Sequence, residues 1–78
     1  MTQQNLIKLQ DIFRFALELP PNSNLTTVEQ GQPGWDSLGH VKLIAGIESA
    51  FGIEVDTGDA LELTSFDKTR QWLEGRGF

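Results

Sequence analysis

Apolar residues recur at three- and four-residue steps along the first part of the chain: Leu6, Leu9, Phe13, Ala16 and Leu17. That period predicts a helix over residues 3–18, with Ile7, Ile12 and Phe15 widening its apolar stripe. Pro20-Pro21 ends it, because proline lacks the N–H and restricts the residue before it. Residues 19–35 contain Pro20, Pro21, Asn22, Asn24, Gly31, Pro33 and Gly34, and read as loop. A connection this long in a small domain is functional or packed by its own side chains, and Leu25, Val28 and Trp35 can supply the packing. The loop also makes the segment before residue 36 mobile in this reading.

The next helix is expected at residues 37–51. Asp36 or Ser37 can cap it through a short side-chain oxygen. Gly52 stands at the position after the last turn, where a left-handed residue closes a helix. Fifteen residues rising about 1.5 Å each give roughly 22 Å, nearly the height of such a domain. On a helical wheel Leu38, Val41 and Ala45 fall on one side. Leu43, Ile44, Ile47, Ala50 and Phe51 cover a second, broad arc. Glu48 lies on one border, and Lys42, Gly39, Gly46 and Ser49 on the other. A helix apolar on nearly all sides is usually buried. In so small a domain it cannot be wholly buried, so apolar surface is left for a ligand or partner. The plainer alternative is that it only occupies the centre of the bundle.

Ile53 and Val55 alternate with Glu54 and Asp56, which suits an extended connection tucking two apolar side chains inward. Residues 57–63 suggest one short helix around Ala60-Leu61. Thr64 or Ser65 caps a last helix through Glu74, with Asp67 in its first turn and Phe66, Trp72 and Leu73 as buried candidates. Gly75-Arg76-Gly77-Phe78 reads as a frayed tail. The expected fold is all-α: a small bundle of three main helices plus one short helix, with a long first loop. Residues 1–78 form one domain, with its core at about 5–74.

Composition narrows the function classes. The chain has 78 residues, 38% hydrophobic and 22% charged, with net charge −5 and a pI near 4.5. Its few Lys and Arg residues are scattered, which excludes binding to nucleic acid through the phosphate backbone. There is no cysteine, hence no disulfide, thiolate metal site or cysteine nucleophile. His40 is the single histidine and cannot build a zinc site alone, so no metal site is expected. No signal peptide or membrane-spanning run is visible. The expectation is a soluble, cytoplasmic chain, complete as written, that works as a monomer and does not insert into membranes.

The stretch Gly34-Trp35-Asp36-Ser37-Leu38-Gly39-His40-Val41 carries the candidate chemistry. A serine at a helix start is ordinarily a cap. Here it also follows a long loop, where an enzyme can reach it. It opens a long helix, whose free N–H groups and positive dipole end favour a phosphate. His40 stands at i+3, but no third group orients it as a base, so a Ser37–His40 hydrolase is disfavoured. An accessible, unactivated serine reads better as the substrate of another enzyme, and the chain itself is not expected to be an enzyme.

Asp36-Ser37-Leu38, followed by Val41 and Leu43 and then Phe51-Gly52-Ile53-Glu54-Val55, resembles an acyl carrier protein. The upstream helix, long loop, short third helix and Leu63-Thr64-Ser65-Phe66 leading into the last helix match that family in order and length, over about residues 5–74. The resemblance implies that a phosphopantetheinyl transferase attaches 4′-phosphopantetheine from coenzyme A to Ser37, using magnesium, with Asp36 and Leu38 as flanking motif positions. The thiol of the arm then carries an acyl or aminoacyl group as a thioester. A loading ligase and a downstream transferase or synthase would dock on the helix that begins at Ser37, at His40, Val41, Lys42, Ile44 and Glu48.

The chain departs from fatty-acid-type carriers, which usually have acidic residues where Gly39, Lys42 and Ser49 stand. The docking face is therefore less acidic, suggesting a specialised free-standing carrier of an unusual acyl chain or an amino acid. His40 is read as a solvated surface histidine, or else as a contact to the phosphate of the arm or to a partner. Trp35 is read as a loop anchor and Trp72 as core. Phe13, Leu43, Ile47, Ile53 and Leu61 could line a cleft for an acyl chain, or simply form the core. The alternatives from other classes are an aminoacyl or peptidyl carrier of a specialised pathway, and an unmodified acidic helical module that binds a partner helix.

Overall fold

Each of the four α-helices begins where a side-chain oxygen accepts an amide that would otherwise be orphaned. The computed structural model describes residues 1–78. In it, Thr2 Oγ1 accepts the Asn5 N–H at 3.1 Å and opens α1, Gln3–Ala16. Asp36 Oδ1 accepts the Gly39 N–H at 2.7 Å and opens α2, Ser37–Phe51. Asp56 Oδ1 does the same for Asp59 at 2.8 Å in the short α3, Thr57–Glu62. Ser65 Oγ accepts from Lys68 at 3.1 Å at the start of α4, Phe66–Gly75. There are no strands, and the chain is a small all-helical bundle. No helix is long and apolar enough to cross a membrane.

Three helices close on left-handed residues. α1 stops two residues short of the predicted end because Glu18 turns left-handed, at φ 55°, and Leu19 N–H donates back to Arg14 O at 2.8 Å. Gly52, at φ 66°, closes α2, and Ile53 N–H returns to Glu48 O at 3.2 Å. Gly77, at φ 95°, closes α4, and this corrects the expectation of a frayed tail. Phe78 N–H donates to Leu73 O at 3.1 Å, and the Phe78 ring packs edge-on against Phe51 at 5.1 Å. The Asn5 side-chain amide donates to Phe78 O at 3.2 Å. Beside it the Met1 amine pairs with Glu74 at 2.9 Å, and that hydrogen bond holds the Glu74 carboxyl below the usual carboxylate range.

The core collects Leu9 and Phe13 from α1, Leu43, Ile47 and Phe51 from α2, and Phe66 and Leu73 from α4, together with Leu25 and Trp35 from the first loop. Phe13 stands at its centre. Its ring meets Trp35 edge-on at 5.4 Å and Phe66 at 5.0 Å, geometries that aromatic quadrupoles favour. The loop is not structureless: Leu25–Thr27 form one turn of 3-10 helix. Nor is it free, since Gln30 N–H donates to Thr64 O and Gly31 N–H to Trp35 O, both at 3.0 Å. Trp72 is partly buried and packs against the edge of the core, with the Arg76 guanidinium over its ring at 4.1 Å.

α1 and α2 run antiparallel and touch through glycine. A Cβ at Gly46 would sit 2.9 Å from Ile12 Cγ2, and one at Gly39 would sit 3.0 Å from Leu17 Cδ2. The wheel border of Gly39 and Gly46 is thus the face that α1 covers. The rest of the outward face of α2 stays in solvent, with Leu38 63% and Val41 65% exposed. Ile7 and Phe15, expected to widen the apolar stripe of α1, are also exposed, Phe15 at 86%. The α1–α2 contact covers a narrower strip of α1 than the periodicity implied, so both lie outside it.

The Gly46 contact yields a test. The neighbouring atom belongs to a β-branched side chain that cannot swing away. Overpacking of this kind costs about 1–3 kcal/mol, more than the few tenths gained by replacing glycine in a helix with valine. Gly46→Val should therefore lower the unfolding free energy by about 1–2 kcal/mol in urea titration, whereas Gly75→Ala, with nothing within 4 Å, should not lower it.

Candidate functional site

Ser37 is the first residue of α2 and is exposed. Asp36 supplies the cap, so the Ser37 hydroxyl is not used for capping. His40 N–H donates to Asp36 O at 2.9 Å, closing the first turn. The amides of Ser37 and Leu38 are left at the positive end of the helix, and no acidic side chain lies in the first turn itself. Gln30, Gly31, Trp35, Asp36 and Ser37 line an open depression of about 340 Å³ beside the hydroxyl. Ser37 is reachable from its position at the mouth of α2.

What holds that loop is Trp35. Its indole is fully buried, and its Nε1–H donates to His40 Nδ1 at 3.1 Å. His40 Nε2 lies 2.8 Å from Ala60 O. The partners fix the tautomer: an indole N–H can only donate and a carbonyl can only accept, so Nδ1 is bare and Nε2 carries the proton. The two rings also stack, with centroids 5.9 Å apart. This relay ties the residue before the cap, the first turn of α2 and α3 into one unit.

His40 is therefore not on the surface. It is 9% exposed, with both ring nitrogens engaged. That corrects its reading as a solvated or partner-facing residue, and it leaves no nitrogen for Ser37. The signal was present in the sequence. His40 precedes Ile47 by two helical turns, which puts both on the same buried face. A buried tryptophan also needs an acceptor for its N–H.

The other residues expected on the docking face divide. Leu38, Val41 and Lys42 are exposed on the outward side of α2. Ile44 is half-buried. Glu48 is half-buried, and its Oε2 accepts the Val55 N–H at 2.9 Å, so it braces the connection after α2. Of the candidate acyl cleft, Phe13, Leu43 and Ile47 are completely buried core and Ile53 is partly buried. Leu61 instead faces solvent at 69% exposure, because α3 buries none of its side chains. A depression of about 620 Å³, lined by α3–α4 residues such as Leu61, Lys68 and Trp72, does not include Ser37.

No group of three or more His, Asp or Glu side chains converges in a way that would hold a metal ion. The chain matches no family model and no curated protein. The site therefore rests on its own geometry.

The relay makes a prediction that a surface histidine would not. His40→Ala leaves the Trp35 N–H buried without an acceptor, a loss of about 1–3 kcal/mol. For a domain of this size the melting temperature should fall by roughly 4–8 °C per kcal/mol. A double-mutant cycle with Trp35→Phe should return a coupling of at least about 0.5 kcal/mol, and additive effects would refute the relay.

Proposed function

We propose that this chain is an acyl carrier protein that holds an acyl or aminoacyl group as a thioester on a 4′-phosphopantetheine arm attached to Ser37. The observation that carries this reading is the Ser37 hydroxyl, exposed and released from capping at the first residue of a 15-residue helix. An unactivated hydroxyl in that position suits modification by another enzyme. In that reaction a phosphopantetheinyl transferase would join Ser37 Oγ to the phosphorus of coenzyme A as the pyrophosphate bond breaks, with the nucleotide bisphosphate leaving.

The residues present fit such a group. The amides of Ser37 and Leu38 and the dipole of α2 favour a phosphodiester at this point. The depression along Gln30, Gly31 and Trp35 offers the arm a first surface. Asp36 keeps the helix mouth closed and the serine oriented outward. The group, once bound, supplies the thiol that a chain without cysteine lacks. The chain catalyses nothing in this scheme. It is a cytoplasmic monomer that meets its loading ligase and a downstream transferase or synthase through Leu38, Val41 and Lys42.

A second reading, an unmodified protein-interaction module, draws on the exposed apolar side chains Leu38, Val41 and Leu61. Covalent loading separates the two. Incubation with coenzyme A, magnesium and a broad-specificity phosphopantetheinyl transferase should add the mass of one arm, and Ser37→Ala should add none. A transferase that modifies a control carrier but leaves this chain unchanged would favour the interaction module.

The cargo has its own test. The interior residues able to shelter a chain are already closely packed. A long acyl group drawn into the bundle would bind only the folded state and raise the melting temperature. Loading with a short acyl or an aminoacyl group should leave it unchanged.

A further inference from the structure

The outward face of α2 has an unexpected charge. Asp36 is engaged with the Gly39 amide, Glu48 with the Val55 amide, and His40 is buried. Lys42 is the only Lys or Arg of α2, it is exposed, and it takes part in none of the ion pairs of the chain. An acidic protein of net charge −5 thus presents a cation at the centre of its longest helix.

Lys42 stands on the lip of an open groove of about 570 Å³ between α1 and α2. Ile12, Ala16, Ala45 and Gly46 line it, and Gly46 deepens it where a side chain would fill it. Phe15 rises from the α1 lip at 86% exposure. Lys8 also borders the groove, but its ammonium is turned away, over the Phe51 ring at 5.1 Å and toward Ala50 O at 3.4 Å. Asp11 borders the groove as well, on the α1 lip, and it is in none of the ion pairs of the chain.

We infer that this groove is a protein-docking surface, distinct from the Ser37 mouth, that takes a partner helix bearing a large apolar side chain beside a carboxylate. The apolar side chain packs between Phe15 and the floor at Ile12 and Gly46, and the carboxylate pairs with Lys42. Such complementarity selects acidic partners and turns away basic ones, since juxtaposed like charges are strongly unfavourable. The inference rests on the proposed carrier role only in that the partner would be an enzyme visited by the loaded arm.

An unbiased selection tests it. A displayed library of 18-residue helical peptides, randomised on one face, is selected against the immobilised protein. The expected binders are enriched in Asp or Glu next to Leu, Phe or Trp. Phe15→Ala should weaken them at least about tenfold, as for a hot-spot residue, and Lys42→Glu should weaken them about threefold or more. Leu61→Ala, on α3, should leave binding unchanged. Binders rich in Lys or Arg, binders insensitive to Phe15→Ala, or an empty selection would overturn the inference. So would self-association of the free chain, in sedimentation, that Phe15→Ala abolishes, because the occupant would then be a second copy. Transferase loading of Ser37 in Phe15→Ala is measured alongside. Loading that proceeds while the groove selects no acidic helix removes the docking surface alone, and loading that fails in the parent chain removes the carrier role alone.

Discussion

A buried imidazole must find partners for both ring nitrogens, and in this protein that requirement organises the site. His40 takes the indole N–H of Trp35 on one side and gives its own proton to Ala60 O on the other. Trp35 is the residue just before the Asp36 cap, and its ring closes the core against Phe13. Ala60 belongs to α3, which buries no side chain of its own. The relay thus joins the loop, the mouth of α2 and the least anchored helix. Ser37 is presented by this hydrogen-bonded frame, and its hydroxyl stays outside the network.

The second constraint is how closely α1 and α2 approach. Gly39 and Gly46 let Leu17 and Ile12 come nearer than any side chain would allow. Close contact at that line turns Leu38, Val41 and Lys42 away from the bundle and leaves Phe15 standing clear of it. On the same helix the carboxylates of Asp36 and Glu48 serve the backbone, one as the cap of α2 and the other as a brace to the Val55 amide.

Much of the fold was legible because local rules sufficed. The 37–51 helix, its Gly52 closure, the inward Ile53 and Val55, and the Ser65 cap follow from period, capping chemistry and glycine alone. The exposed Ser37 and its Asp36 cap belong to the same class. What escaped depended on long-range contacts. Nothing near Phe78 announces that Phe51 and Asn5 will hold it. Phe15 shares the helical period of buried residues, but the strip that α2 covers is too narrow to include it. His40 was misread on residue type, although its register with Ile47 pointed inward. The brace from Glu48 to the Val55 amide escaped as well, because it forms only when residues 52–55 fold back.

The covalent state of the Ser37 hydroxyl in living cells tests the proposed carrier role most directly. The intact chain, purified from cells that contain a phosphopantetheinyl transferase and fragmented in a mass spectrometer, should carry a single phosphodiester-linked arm, localised to Ser37. A chain bearing that arm on a different hydroxyl, or recovered entirely bare while another carrier in the same cells is loaded, would contradict it.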